Sequence, residues 1–343
     1  MPSPSRALWP IVGAIVFVGA AVLVGLFVGP AGIAPGAIVR ELLSHIPLLG
    51  VHSHLSATDS AILWQLRAPR VALGLLVGGM LALAGGSYQG VFRNPLVDPY
   101  LLGVAAGAGL GATIAIAYAQ GAADSWDLLP IAAFAGALVA VALAYGLGAS
   151  AMGAGNPAAL VLAGLTIVAF LTSIQTFIQQ QHAQSLQEIY SWILGSLDTA
   201  GWHEVMLALP YVAIASVVIL LHRRVLDVLA VGDDEAATLG VNVRRVRLTI
   251  VISATIGTAA VVAVSGLIGF VGIIVPHFVR LAIGTSYRIV LPLSLLLGGG
   301  FLVLCDVIAR TVVSPAELPI GVVTAFFGAP FFAVVLRSSR TFR

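Results

Sequence analysis

The chain has 343 residues, of which 59% are hydrophobic and 9% charged, with a net charge of +2 and a mean hydropathy of +1.07. Soluble domains carry about 25% charged residues because a hydrated surface needs them. This composition therefore excludes a water-solvated globule and makes lipid the solvent; nothing in the charge balance suggests a nucleic-acid partner.

A membrane-crossing helix needs about 20 apolar residues, so the length leaves room for about ten crossings. Apolar runs between turn signals fall at about 8–30, 67–90, 98–119, 128–149, 157–180, 203–221, 245–265, 267–283, 289–310 and 320–337. The first run is too long for a signal peptide and lacks a convincing cleavage site, so it is read as a span. The fold expected is a single all-α polytopic membrane domain over 1–343 with about ten transmembrane helices. The 38 glycines suit it, since small residues let helix backbones approach closely in lipid. Gly107, Gly109 and Gly111, and Gly298, Gly299 and Gly300, stand where such contacts are expected.

All sixteen basic residues are arginines. A phosphate-binding loop of the Walker A type needs a lysine, so ATP, if it drives the process, must bind a separate subunit. With ten spans the termini share one side, and placing them in the cytoplasm sorts the arginines by loop. Arg6, Arg93, Arg223, Arg224, Arg244, Arg245, Arg247, Arg280, Arg288, Arg337, Arg340 and Arg343 fall inside, whereas only Arg40, Arg67, Arg70 and Arg310 fall outside. This is a positive-inside pattern with both termini cytoplasmic. Arg67, Arg70 and Arg310 lie at outer helix ends, where a snorkelling guanidinium and a docking site for a partner are both open readings.

The loop at about 225–243 is the most polar stretch. Asp233, Asp234 and Glu235 suit a helix N-terminus, where carboxylates meet exposed backbone donors, and Ala236, Ala237 and Leu239 would follow in a short helix. An ordinary solvated connection and a contact for a partner subunit remain alternatives. Pro95 ends the second span after Asn94 and before Leu96. Gln175 and Gln179 are one helical turn apart, so they share a face that must find polar partners, either in a neighbouring helix or in a wet path. His52-Ser53-His54 lacks further ligands and is weak as a metal site. His277 reads as a structural residue, as does the lone Cys305. No metal site or bound cofactor is expected.

Four stretches resemble the FecCD-type permeases of iron-siderophore, haem and cobalamin ABC importers. The first comprises Arg67-Ala68-Pro69-Arg70 and Gln89-Gly90-Val91-Phe92-Arg93-Asn94-Pro95-Leu96, running on through Asp98-Pro99-Tyr100-Leu101-Leu102-Gly103. The second is Trp192-Ile193-Leu194-Gly195-Ser196-Leu197, with Gly201-Trp202. The third is Gly232-Asp233-Asp234-Glu235-Ala236-Ala237 with Leu239-Gly240-Val241. The fourth runs from Gly266-Leu267-Ile268-Gly269-Phe270-Val271-Gly272 through Pro276-His277 and Arg280-Leu281 to Pro315-Ala316-Glu317-Leu318-Pro319-Ile320-Gly321 and Gly328-Ala329-Pro330.

The resemblance implies a multi-pass permease of the bacterial cytoplasmic (inner) membrane. It implies a second copy of the chain, two ABC ATPase subunits carrying ATP and Mg, and an extracytoplasmic binding protein that delivers a ferric siderophore or haem, with cobalamin as the alternative cargo. It further implies that Arg67, Arg70 and Arg310 dock the binding protein. Asp233, Asp234, Glu235, Ala236, Leu239 and Gly240 would contact the ATPase, and Asn94, Leu96, Gln175 and Gln179 would line the path and its gate. An ion-coupled secondary transporter is the competing class, but its carboxylates belong at mid-membrane. Here Asp98, Asp306 and Glu317 lie toward span ends.

Overall fold

A computed structural model describes residues 4–45, 52–53, 55–119, 125–152, 157–198 and 200–339; His54, Arg340 and Arg343 lie outside them. The described residues form α1 (Pro4–Phe27), α2 (Pro35–Ser44), α3 (Ala57–Ala61), α4 (Ala68–Phe92), α5 (Val104–Tyr118), α6 (Ser125–Met152) and α7 (Pro157–Gln181). They continue as α8 (Leu186–Ile193), α9 (Trp202–Leu229), α10 (Asp233–Thr238), α11 (Val243–Ser265), α12 (Val271–Ala282), α13 (Tyr287–Thr311) and α14 (Ile320–Ser339). A π-helical turn, Ile62–Arg67, joins α3 to α4. No strand occurs among the described residues.

Each of the ten expected apolar stretches carries a helix. Seven, α1, α4, α6, α7, α9, α11 and α13, are long and apolar enough for a full crossing, whereas α5, α12 and α14 are shorter apolar helices. The sequence alone did not separate these two classes. The chain also folds α2, α3 and α8 between the apolar helices, where the periodicity is too short to register, and the expected short helix α10 between α9 and α11.

Position in the bundle follows from side-chain size. The apolar window containing α4 is 83% buried, against 22% for that of α1. Hence α4 is the central column and α1 lies at the periphery of the bundle. Glycine permits the close packing around the column. A Cβ at Gly78 would overlap the carbonyl oxygen of Gly298 on α13, and one at Gly85 would overlap that of Gly272 on α12. A second crossing, α5 on α6, uses Gly107 and Gly111 against Gly136 and Ala132 in the same way. In lipid, apolar burial gives little preference for protein over tails, so backbone proximity and dispersion do the holding. Buried polar groups are paired within the column: Tyr88 Oη lies 2.8 Å from Thr255 Oγ1, and Gln89 Nε2 donates to the carbonyls of Val97 and Gly272.

A single methyl group should therefore act very differently at two glycines. Gly85→Ala must push α12 off α4, an overpacking cost of about 1–3 kcal/mol or more, whereas Gly13 has nothing within 4 Å of a built Cβ. Thermal unfolding of detergent-purified protein should show Gly85→Ala melting several degrees below wild type and Gly13→Ala unchanged. Equal melting of the two variants would refute the close-packed column.

Candidate functional site

Polar side chains gather at the two ends of α4, which at 25 residues spans about 37 Å at 1.5 Å per residue. One end holds Arg67, Arg70, Asp306, Arg310 and Glu317; the other holds Arg93, Asn94, Asp233 and Arg247.

At the first end the three arginines have separate jobs. Arg67 is buried, with its Nη1 donating to the carbonyls of Leu26 (2.8 Å) and Phe27 (3.1 Å) and its Nη2 to that of Ala31. Arg310 is equally buried; its Nη2 donates to Gly25 O at 2.6 Å and its Nε lies 3.5 Å from Asp306 Oδ2. Both guanidinium groups thus meet the last carbonyls of α1, which have no partners inside their own helix and carry the negative end of its dipole. Arg70 faces the other way. Its Nε donates to both Asp306 oxygens at 2.9 and 3.1 Å, while Nη1 and Nη2 hold Glu317 Oε1 and Oε2 at 3.0 and 2.8 Å. The Arg70 side chain is 13% exposed and that of Glu317 30%, whereas Asp306 is 3% exposed. The sequence grouped the three arginines but missed Asp306 and Glu317 as their partners. The only local signal was the i,i+4 spacing of Asp306 and Arg310.

Beside this cluster the chain forms a three-segment backbone crossing. Ile320 N and Gly321 N donate to the carbonyls of Gly195 and Leu194, and Ser196 N donates to Ser265 O. Gly195 (φ +73°) and Gly266 (φ +67°) permit it, since a Cβ at Gly266 would strike Trp192 O. The segment 191–198 separates a cavity of about 70 Å³ against Arg70 and Glu317 from a larger one of about 460 Å³. Glu188, Asp198 and Glu204 line the larger cavity.

At the other end, Arg93 takes a left-handed conformation (φ 51°) that terminates α4, and Asn94 Oδ1 accepts from Leu96 N at 3.0 Å. Asn94 and Leu96 are exposed. The expected short helix is present as α10, with Asp233, Asp234 and Glu235 in its first turn. Asp233 is held by Arg247 (3.1 Å) and Arg93 (3.4 Å), and Ala236 is fully buried. Leu239 is 71% exposed beside Gly240, whose φ of +81° suits glycine. A further pin, Asp227 accepting from Ser286 Oγ and Tyr287 N, joins α9 to the start of α13.

Gln175 and Gln179 part company despite their shared face. Gln175 is buried with its amide over Gly109 of α5, while Gln179 is half-buried one turn on.

The FecCD transport family model matches residues 11–338. An ABC transporter permease of Bacillus subtilis, YvrB, is 36% identical over 93% of this chain and 91% of its own. The cobalamin import permease BtuC of Halobacterium salinarum is 40% identical over 82% of this chain and 74% of its own, and the hemin permease HmuU of Yersinia pestis 38% over 83% and 86%. A solved structure described as a metal-chelate type ABC transporter in an inward-facing conformation superposes with a TM-score of 0.83 at 27% identity, covering 98% of this chain and all of its own. With a match of this extent around a glycine-packed helical bundle, the chain belongs to the FecCD transport family of ABC importer permeases.

Proposed function

We propose that this permease accepts a metal chelate, a ferric siderophore or haem, from an extracytoplasmic binding protein and passes it across the bacterial inner membrane. Two ABC ATPase subunits, each holding ATP and Mg, would drive it, and a second copy of the chain would complete the path. The observation that carries this reading is the family match over nearly the whole chain, joined to two polar clusters at opposite ends of one rigid central helix. Relatives named for cobalamin and for hemin are 40% and 38% identical, a difference that does not rank the cargoes. Several others carry iron in their names, among them a ferric citrate and a ferric hydroxamate permease, which favours an iron chelate.

In this reading the end with Arg70 faces outward and receives the binding protein, and the end with α10 faces the ATPase in the cytoplasm. The positive-inside distribution of arginine supports that orientation. Arg70 is the arginine that meets the partner, while Arg67 and Arg310 hold α1 behind it. On α10 and its flank, Asp234, Glu235, Leu239 and Gly240 make the ATPase contact, with Asp233 and Ala236 fixing the helix to the bundle. Asn94, Leu96 and Gln179 face the path, and Gln175 keeps α7 against α5.

The division of labour among the arginines is testable. Arg67→Glu would set a buried carboxylate against three carbonyls, a loss of about 3–5 kcal/mol by analogy with broken buried pairs. It should sharply reduce folded protein in membranes, whereas Arg70→Gln should accumulate normally and lose stimulation by the binding protein. Normal melting of Arg67→Glu would return Arg67 to the docking surface.

At the opposite end, Leu239→Asp should leave the permease folded but weaken its assembly with the ATPase at least about tenfold, the range of a moderate interface hot spot. Wild-type assembly and transport by this variant would remove α10 from the ATPase contact. For the whole reading, vesicles containing the complete transporter should take up cargo only with ATP and binding protein, and should ignore a collapsed ion gradient. Gradient-dependent uptake would favour a secondary transporter.

A further inference from the structure

We propose that Glu317 is a built-in competitor for the docking partner: it fills the Arg70 fork until a carboxylate of the binding protein takes its place. The proposal rests on the docking reading of Arg70 given above.

A guanidinium offers two edges able to hold a carboxylate through paired hydrogen bonds. Both edges of Arg70 are occupied. The edge carrying Nε meets Asp306, with Nε bonds of 2.9 and 3.1 Å and Nη2 at 2.8 Å from Oδ1, and the outer edge meets both oxygens of Glu317. An incoming carboxylate can therefore pair with Arg70 only by displacing one of them.

The two occupants are not equally free to leave. Asp306 is all but sealed from solvent and also faces Arg310, so its departure would leave the buried Arg310 without its carboxylate and empty the inner edge of Arg70. Glu317 is 30% exposed and lies on the irregular segment between α13 and α14. The small cavity lined by Arg70, Asp306, Glu317 and Ser196 opens beside the fork. Exchange at the outer edge therefore swaps one carboxylate for another without unpairing Arg70 at either end point.

This arrangement keeps a cation at the membrane surface satisfied when no partner is bound, and it makes docking weaker and more selective than a free arginine would. A partner must present a carboxylate of matching geometry, since a neutral or singly bonded group gives up more than it gains. Displacement also has a mechanical address. Glu317 precedes Leu318, whose N–H bonds Ala309 O, and Ile320 and Gly321, whose N–H groups bond the carbonyls closing α8. Release of Glu317 thus frees the outer tether of the segment that holds α8.

When a binding-competent state is only partly populated, apparent affinity falls by that fraction. Removing the competitor should raise it. The complete transporter in lipid nanodiscs, titrated with its fluorescently labelled binding protein, gives the measurement. Glu317→Gln and Glu317→Ala should each bind at least about fivefold more tightly than wild type, and Arg70→Gln should bind far more weakly. Unchanged or weaker docking by both Glu317 variants, with Arg70→Gln still impaired, overturns the competitor while leaving the docking site standing. Wild-type docking by Arg70→Gln removes the docking site and the competitor together. Failure of both Glu317 variants to assemble with the ATPase would also overturn the proposal, since Glu317 would then belong to the fold rather than occupy an exchangeable position.

Discussion

Backbone contact between α4 and its neighbours α12 and α13 sets the geometry of everything else in this chain. Lipid tails solvate leucine as well as a protein core does, so side-chain burial alone cannot fix where these helices lie. Gly78, Gly85, Gly272 and Gly298 remove the side chains from the crossings, and dispersion between backbones takes over. The same contacts make α4 stiff, because nothing flexible lies between it and its partners. A stiff column about 37 Å long then fixes the separation and relative orientation of whatever its ends carry.

Those ends carry charge, arranged by one rule. A charged group leaving water must be paired and fully hydrogen-bonded, or it is costly to bury. Arg67 and Arg310 meet the unpaired carbonyls of α1, Arg310 with Asp306 beside it as counter-charge, which ties the least buried long helix to the column. Arg70 obeys the rule through two carboxylates, and Arg247 through Asp233. The two clusters differ in exposure. The Arg70 cluster is mostly sealed with one solvent-facing member, whereas α10 stands out from the bundle on a short helix with Leu239 projecting.

Much of this was legible in the sequence. Hydropathy located ten apolar helices, because a long apolar run in lipid has few alternatives, although α9 runs eight residues past its expected end and α5 starts six residues late. Pro95 after Asn94 marked the end of α4, and three consecutive acids marked the start of α10. The partners were less visible. Arg70 and Glu317 are 247 positions apart, and no local pattern announces such a pairing. Gln175 and Gln179 shared a helical face, yet the position of α5 buries one and leaves the other half open. The segment 191–198 and its crossing with 265–266 and 320–321 depend on backbone hydrogen bonds between distant loops. Only the glycines at 195, 266 and 321 hinted at them.

The placement of the carboxylates bears on how such a protein can be driven. Transporters coupled to proton or sodium gradients place titratable or ion-binding groups near the middle of the membrane, where the gradient can act on them. Among the described residues of the long apolar helices, Glu204 stands in the first turn of α9, Asp227 near its last, and Asp306 within six residues of the end of α13. Each also has a structural partner: Gly201 N for Glu204, Ser286 and Tyr287 for Asp227, Arg70 and Arg310 for Asp306. Among the described residues of the long apolar helices, no carboxylate stands at mid-helix. Work delivered at the ends of a rigid column, by proteins that bind those ends, is the form of driving that this distribution of charge suits.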